Sequence, residues 1–126
     1  MPKIRMTIGK HVLDAELFDT PTAQAILAAC PIESRASTWG QEVYFTVPVK
    51  AEREESAREV IEAGELAYRT EGEAIIIGFG PTPHSKAEEI RLALPANVWG
   101  RALGDVSQLS AVEPGQLVVV DVVPEE

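Results

Sequence analysis

A glycine- and proline-rich stretch, GFGPTPHSK at residues 78–86, contains the residue types of a phosphate-binding loop. A Walker loop needs Gly-Lys followed by Ser or Thr at the start of a helix, so that backbone N–H groups and the lysine converge on the phosphates. The order differs here, and Pro81 and Pro83 remove two backbone N–H donors. The dinucleotide-binding fingerprint also fails, because its third glycine and a surrounding βαβ unit are missing. The sequence therefore predicts neither kind of nucleotide site.

The histidines, the cysteine and the serines lack the spacing of metal or nucleophilic sites. His11 and His84 have no second His or Cys at a ligand spacing, so we expect no metal site. Ser85 follows His84 directly, but the sequence contains no G-x-S-x-G elbow. Cys30 falls on the apolar stripe of a predicted helix, so we interpret it as a core residue rather than a nucleophile. We also expect no cofactor.

Aromatic and polar residues around two predicted strands form the remaining candidate site. Trp39 precedes the strand EVYFTVPV, and Phe79 ends the buried strand AIII. If these strands are neighbours, their aromatic side chains line a shallow apolar groove with polar groups at its edge, as ligand sites usually do. The alternative is that Trp39 and Phe79 plug one end of a barrel. The candidate groove residues are Trp39, Glu42, Tyr44, Phe79, Pro81 and Thr82, with Arg35 and Asn97 as candidate catalytic donors.

Length and composition are typical of one small domain, which we place at residues 1–126. The chain carries 20 acidic and 11 basic residues, a net charge of −9, which disfavours nucleic acid and anionic membrane as partners. The single cysteine permits no internal disulfide, and no stretch has the length of a membrane span. We therefore expect a cytoplasmic protein, whose oligomeric state the sequence does not indicate.

The first third of the chain has clear strand and helix patterns. The runs KIRMTI and VLDAEL alternate around Gly9-Lys10 and predict a β-hairpin. A helix is predicted at about residues 21–30, with Asp19 or Thr20 as its cap and Pro31 at its end. Residues 31–41 are predicted to be an extended loop. The following strand, EVYFTVPV, has two partly apolar faces, which favours a strand lining a barrel or a groove.

The rest of the chain is also predicted to be rich in short strands. The charged residues 51–63 favour a short helix or a surface excursion. LAYRT and AIIIGFG form a second predicted hairpin, in which the AIII run is buried on both faces. A long irregular excursion is expected at residues 81–96, followed by a strand NVWGRAL, helical turns in DVSQLSAV and a closing strand QLVVVDVV. This pattern predicts a mainly β protein, an antiparallel barrel with one clear helix and short helical turns.

Several stretches together resemble a family of small prokaryotic proteins with a cyclophilin-like fold. They are DTPTAQAIL, ES-R-A-STWGQEVYF, GELAY, GFGPTP and P-ANVWGRALGD, and they cover nearly the whole chain in the same order. The resemblance implies a closed antiparallel β-barrel of cyclophilin type with helical caps. The family has no firmly assigned activity. After Tyr68 the family pattern would have an aromatic residue and a proline, whereas this chain has Arg69-Thr70-Glu71.

Cyclophilins proper are peptidyl-prolyl isomerases with an arginine and a phenylalanine in their groove, but their Phe-His-Arg stretch is absent here.

We interpret GFGPTP as the exit of a buried strand, in which Gly78 permits close packing and Gly80 supplies a turn conformation. In the family, the proline-stiffened loop that follows would form one wall of the groove.

Three functional hypotheses follow. The first is a cytosolic binding domain whose groove takes a peptide or a small molecule. The second is a weak peptidyl-prolyl isomerase, in which Arg35 or Asn97 donates to a twisted amide. The third is a structural protein that forms homo-oligomers.

Overall fold

The computed structural model describes residues 2–124, which form an antiparallel β-structure with one α-helix and one 3-10 helix. The helices are α1 (Pro21–Ala29) and the 3-10 helix Val106–Ala111. The described residues also contain ten strands: β1 (Lys3–Ile8), β2 (His11–Leu17), β3 (Ile32–Arg35), β4 (Ser37–Thr38), β5 (Glu42–Thr46), β6 (Arg58–Ile61), β7 (Glu65–Arg69), β8 (Ala74–Gly78), β9 (Ile90–Ala102) and β10 (Leu117–Val123).

The strands form one curved sheet in the order β3-β10-β1-β2-β9-β7-β8-β5-β4, and β6 pairs with β9 beside it. The two end strands, β3 and β4, are consecutive pieces of one extended segment with Ala36 between them. The Ala36 N–H donates to the Gln116 carbonyl at 2.9 Å, and the Ser34 hydroxyl donates to the Thr46 carbonyl at 2.6 Å. The predicted antiparallel barrel is confirmed, although its hydrogen-bond ladder is not closed between β3 and β4.

The first hairpin and the helix form where local sequence predicts them. β1 and β2 pair antiparallel, and the alternating residues Ile4, Met6 and Ile8 are fully buried. The Thr20 hydroxyl accepts a hydrogen bond from the Ala23 N–H at 3.1 Å, which caps α1. Cys30 follows the helix, is half-buried against the core, and has a thiol pKa raised by burial.

The predictions for three segments, residues 31–41, 51–63 and 81–96, are wrong in part. Residues 31–41 contain β3 and β4, which pair with β10 and β5 respectively. Residues 51–63 form no helix in the described structure; they run irregularly and then enter β6. The irregular stretch after β8 ends at Glu89, because β9 begins at Ile90 and continues through Pro95. β3, β6 and the first part of β9 are ordered by pairing with strands distant in sequence, whereas β4 pairs with the neighbouring β5 across a tight connection.

Two hydrophobic clusters hold the sheet together. The larger fills the barrel and includes Val43, Phe45, Val47 and Val49, as the alternation in β5 and the residues after it predicts. The smaller lies on the outer face of β7 and β8, beneath an arm that we call the β6–β9 arm, made of Arg58–Ile61 and residues 90–96. Its buried residues are Ile61, Ala67, Ile76, Ile90, Leu92 and Ala96.

The two clusters explain why residues 74–77 of β8 are buried on both faces. Ile75 and Ile77 belong to the barrel interior, whereas Ile76 belongs to the cluster under the β6–β9 arm. The prediction from the unbroken AIII run is therefore confirmed. The cluster under the β6–β9 arm matters for the candidate site, because its edge forms one wall of a pocket.

Candidate functional site

A shallow pocket of about 270 Å³ lies on the outer face of the barrel, beside the β6–β9 arm. Alternation in β5 places Glu42 and Tyr44 on this face, since Val43 and Phe45 point into the barrel. Tyr44 also packs against the edge of the outer cluster. The residues that line the pocket are Trp39, Glu42, Tyr44, Arg69 and Ala93. We call it the Glu42 pocket.

Three of these residues are brought together by the tight connection between β4 and β5. The Trp39 N–H donates to the Glu42 carbonyl at 3.0 Å, which closes that connection. Tyr44 lies two residues further along β5, on the same face as Glu42. Local chain geometry therefore positions two aromatic rings and one carboxyl group around the same pocket.

The other two residues arrive through long-range strand pairing. Tyr44 pairs with Ile76 of β8, and Ile76 pairs with Ala67 of β7. Arg69 ends β7 two residues later, and its guanidinium carbon lies 5.8 Å from the centre of the Tyr44 ring. Ala93 comes from the part of β9 that belongs to the β6–β9 arm.

Glu42 is the most unusual polar group in this pocket. It is 3% exposed, and its Oε1 atom has no hydrogen-bond partner among residues 2–124. Burial raises the pKa of the Glu42 carboxyl from its ordinary value of 4.5 to about 7, against the opposing effect of the Arg69 charge. A carboxyl group that titrates near neutral pH inside a cleft is typical of functional sites.

Arg69 is close to Glu42 but is held by other groups. Its Nε–H donates to the Glu71 carbonyl at 2.7 Å, and its guanidinium lies over Tyr44. It forms no hydrogen bond with the Glu42 carboxyl in the described structure. Arg69 is missing from the sequence-predicted groove. The signal that could have found it is the departure from the family pattern at Arg69-Thr70-Glu71.

The loop after β8 supports the pocket from one side. The Gln41 N–H donates to the Pro81 carbonyl at 3.0 Å, and the Phe79 N–H donates to the Gln41 carbonyl at 2.9 Å. His84 in this loop contacts Trp39 edge to face, with ring centres 5.0 Å apart. These contacts fix the loop to the β4–β5 connection and restrain the Trp39 ring.

Of the six predicted groove residues, the structure brings Trp39, Glu42 and Tyr44 together in the Glu42 pocket. Phe79 packs against the barrel interior instead. Pro81 and Thr82 lie in the adjacent loop and do not line the pocket. Thr82 organises that loop, because its hydroxyl donates to the Arg91 carbonyl and accepts from the His84 N–H.

The two predicted donors, Arg35 and Asn97, lie outside the Glu42 pocket. Arg35 is exposed at the end of β3, where its Nη1 donates to the Gly115 carbonyl at 3.3 Å.

Asn97 is fully buried in β9. Its Nδ2 donates to the Thr22 hydroxyl and to the Glu52 carbonyl, each at 2.9 Å, and its Oδ1 accepts from the Glu54 N–H at 2.8 Å. Because these bonds occupy the side-chain amide, Asn97 connects β9 to α1 and to the segment after β5.

The GFGPTP stretch follows directly from the buried strand β8, as predicted, and each of its two glycines makes room for a neighbouring side chain. A Cβ on Gly78 would lie 2.5 Å from Ile90 Cγ2, so Gly78 permits close packing of the β6–β9 arm. Gly80 lies in a bend, as predicted, although its φ is not left-handed. Its missing side chain leaves space for the Gln41 side chain.

Residues 2–124 lack two further features. That part of the chain has no group of three or more His, Cys, Asp or Glu side chains arranged to hold a metal ion. Neither of its helices is long and apolar enough to cross a membrane.

The sheet order and the α-helix that packs against the barrel core define a small, mainly β barrel protein. A family model described as cyclophilin-like matches residues 2–121, and the chain belongs to this family. A similar solved structure is the solution structure of a hypothetical protein from Archaeoglobus fulgidus, with 38% sequence identity and a TM-score of 0.84. The match covers 97% of this chain and 95% of that one. None of the curated proteins compared with the chain matches it.

Proposed function

We propose that this protein is a cytoplasmic binding domain whose Glu42 pocket takes a peptide or a small molecule. The observation that carries the proposal is the Glu42 carboxyl group, which is buried beside two aromatic rings while its Oε1 lacks a partner among the described residues. A buried polar atom without a hydrogen bond destabilises a fold by about 1–3 kcal/mol. A ligand that supplies the missing hydrogen bond recovers this free energy on binding.

The walls of the pocket also suit ligand binding. Trp39 and Tyr44 are half-buried, so each presents part of a large apolar ring to solvent at the pocket mouth. Such rings supply contact area with little loss of side-chain entropy. Apolar walls with a few fixed polar groups are the usual composition of a small-molecule site.

Fluorescence offers a direct test, because the two tryptophans differ in exposure. Trp39 lines the pocket, whereas Trp99 is 0% exposed in the barrel interior. We expect a member of a panel of Xaa-Pro peptides and small metabolites to change Trp39 emission in a saturable way. Trp39→Phe should abolish the signal, and Tyr44→Ala should weaken the binding measured by calorimetry at least about tenfold.

Arg35→Ala serves as the matched control, because Arg35 is exposed and lies outside the pocket. It should bind every panel member as the unmodified protein does. A ligand whose affinity survives Tyr44→Ala but falls with Arg35→Ala would place the binding site elsewhere on the barrel and contradict the proposal.

A second candidate is weak prolyl isomerisation in the same pocket. The observation that favours it is the pairing of Arg69, a cationic donor, with the aromatic ring of Tyr44. A donor beside an apolar surface can stabilise a twisted amide. Uncatalysed exchange of an Xaa-Pro bond takes tens of seconds or more, so modest catalysis is measurable. Catalysis that falls with Arg69→Ala and not with Arg35→Ala would support this candidate, and a rate independent of protein concentration would reject it.

A further inference from the structure

We propose that the Glu42 pocket binds an organic ammonium group, with the Glu42 carboxylate as its counter-ion and the rings of Trp39 and Tyr44 against its carbon atoms. This inference rests on the proposed function and names the ligand class for the same pocket. An alkylamine or an amine-bearing side chain has the required chemistry.

The carboxyl group favours a cation over other ligand groups. An ionised carboxylate only accepts hydrogen bonds, and an ammonium group only donates them. Glu42 has its Oε1 buried and without a partner among residues 2–124, so an incoming N–H donor has an acceptor ready to pair with. An anionic ligand group would instead meet a like charge in a poorly solvated place, which is strongly unfavourable.

The aromatic walls favour an organic cation over a metal ion. Cations are attracted to the faces of Trp and Tyr rings, and Trp is the stronger of these partners. One carboxylate does not make a metal site, and no group of three or more metal-binding side chains lies together in residues 2–124. A pocket of about 270 Å³ also has room for a short carbon chain behind the ammonium group.

Arg69 is the charged group that faces Glu42 from β7, and it competes with the proposed ligand. Ala93 brings no charge from β9, and His84 reaches the pocket region from the loop through its contact with Trp39. Arg69 is held by the Glu71 carbonyl and the Tyr44 ring, so it lowers the negative potential without occupying the carboxyl oxygen. The Arg69 charge also lowers the pKa of Glu42, so the comparison is made well above that pKa, where the carboxyl is ionised in both proteins. There, removal of the Arg69 charge should strengthen binding of a cation and weaken binding of an anion or a zwitterion.

Protonation of Glu42 gives the proposed binding a recognisable pH dependence. The pKa of Glu42 is raised to about 7 by burial, whereas an alkylammonium group stays charged across this range. Since only the ionised carboxyl binds, the dissociation constant should fall about tenfold between roughly pH 6 and pH 8. Histidine also titrates in this range, so His84→Phe, which keeps an aromatic contact with Trp39, is needed as a control.

The experiment is a titration of the ¹⁵N-labelled protein with n-butylammonium, followed by NMR, with n-butanol as the uncharged probe of similar shape. We expect n-butylammonium to shift the Trp39 indole N–H signal and those of residues 39–44, and n-butanol to bind at least about tenfold more weakly. Glu42→Gln should weaken n-butylammonium binding by at least a similar factor and remove its pH dependence. Arg69→Gln should strengthen binding at roughly pH 9, where the Glu42 carboxyl is ionised, and His84→Phe should retain the pH dependence.

Several results would overturn the inference. Equal affinity for n-butanol, unchanged n-butylammonium affinity in Glu42→Gln, or weaker binding in Arg69→Gln at roughly pH 9, where the Glu42 carboxyl is ionised, would each exclude an ammonium–carboxylate pair. Arg69→Gln alters a half-buried residue at the pocket edge, so it keeps the test decisive if Glu42→Gln does not fold. If n-butylammonium does not bind but a member of the ligand panel still changes Trp39 emission, this inference is wrong and the proposed function stands. If neither perturbs the pocket, both fail.

Discussion

Glu42 is a residue that reduces the stability of its own fold at neutral pH. Its carboxyl pKa is about 7 in the folded protein against an ordinary value of 4.5, because it is buried. Between these two values the folded state holds a proton that the unfolded state has released. The free energy of unfolding therefore falls as pH rises through this window, by about 3 kcal/mol in total at about 1.4 kcal/mol per pKa unit.

Replacement of this carboxyl group by an uncharged amide should restore the free energy of unfolding that the protein loses at high pH. At about pH 8.5, where Glu42 is ionised in both states, we expect Glu42→Gln to raise the free energy of unfolding by roughly 1–3 kcal/mol. At about pH 4, where the carboxyl is mostly protonated in both states, the two proteins should differ by less than about 1 kcal/mol. Urea denaturation at both pH values measures this. A difference that does not change with pH would show that Glu42 is not buried as a charged group.

The difference between the two proteins is the relevant quantity, because other carboxylates have the opposite effect. Glu65 pairs with Arg58, and this contact lowers the pKa of its carboxyl. Such a group stabilises the fold above its unfolded-state pKa and loses that contribution as pH falls through its folded-state pKa. Since the Glu65 pair is present in both proteins, its contribution cancels in the comparison.

Asn97 shows how one buried side chain can connect separate elements. It joins β9 to Thr22 of α1 and to the backbone of Glu52 and Glu54. Asn97→Ala would leave a buried hydroxyl and two backbone groups without these bonds, and should reduce the free energy of unfolding by about 2–4 kcal/mol. Chemical denaturation measures the loss. Amide exchange should accelerate at residues 52–54 first, and a variant with unaltered stability would contradict the role assigned to Asn97.

At the scale of elements, Gly78 fixes how closely the β6–β9 arm packs on β8. A Cβ at this position would lie 2.5 Å from Ile90 Cγ2, a distance that requires the Ile90 side chain or the arm that carries it to shift. We expect Gly78→Ala to destabilise the protein by about 1–3 kcal/mol, as overpacking does. Thermal unfolding measures the effect, and amide exchange should become faster in residues 90–96.

Gly104→Ala is the matched control for this variant. A Cβ on Gly104 would lie 3.4 Å from Leu13 Cδ1, which is an ordinary contact. Its melting temperature should stay within a few degrees of the unmodified protein, since surface substitutions usually change stability by less than about 0.5 kcal/mol. Equal losses in both variants would show that the effect is general to glycine replacement.

The elements that sequence predicts well are those fixed by local pattern. Alternation specifies β1 and β2, Thr20 and Pro21 specify the start of α1, and the AIII run specifies β8. β3 lies in a segment predicted as a loop and β6 in one predicted as a short helix or a surface excursion; both carry polar residues and are strands because distant partners pair with them. β4, also in the predicted loop, pairs with the neighbouring β5. Propensity is a weak guide for such strands, since pairing decides them.

The residues of the Glu42 pocket also fall into two groups, those that local sequence indicates and those that long-range strand pairing brings in. Trp39, Glu42 and Tyr44 lie within six residues of one another, so the sequence indicates them together. Arg69 and Ala93 reach the pocket through strand pairing and could not be inferred from spacing. Phe79 lies one residue beyond β8, and no pattern in the sequence decides whether its ring faces the barrel interior or the groove; the structure places it on the interior side.

At the scale of the whole molecule, the net charge of −9 bears on the proposed ligand class. A negative protein raises the local concentration of small cations around it, and added salt screens this attraction. For n-butylammonium we expect the dissociation constant to rise a few-fold between about 20 mM and about 0.5 M sodium chloride, because the Debye length falls from about 20 Å to about 4 Å. The NMR titration repeated at both salt concentrations measures this.

The uncharged probe separates screening from other effects of salt. Binding of n-butanol should not weaken with salt, because the screened term acts on charge alone. Glu42→Gln removes the local counter-ion but leaves most of the overall charge, so any residual n-butylammonium binding should keep part of the salt dependence. Salt screens a buried ion pair much less than it screens exposed charges, so this measurement reports mainly on the attraction by the net charge. An n-butylammonium affinity that is independent of salt would contradict that long-range attraction, whereas the contact with the Glu42 carboxylate is tested by Glu42→Gln.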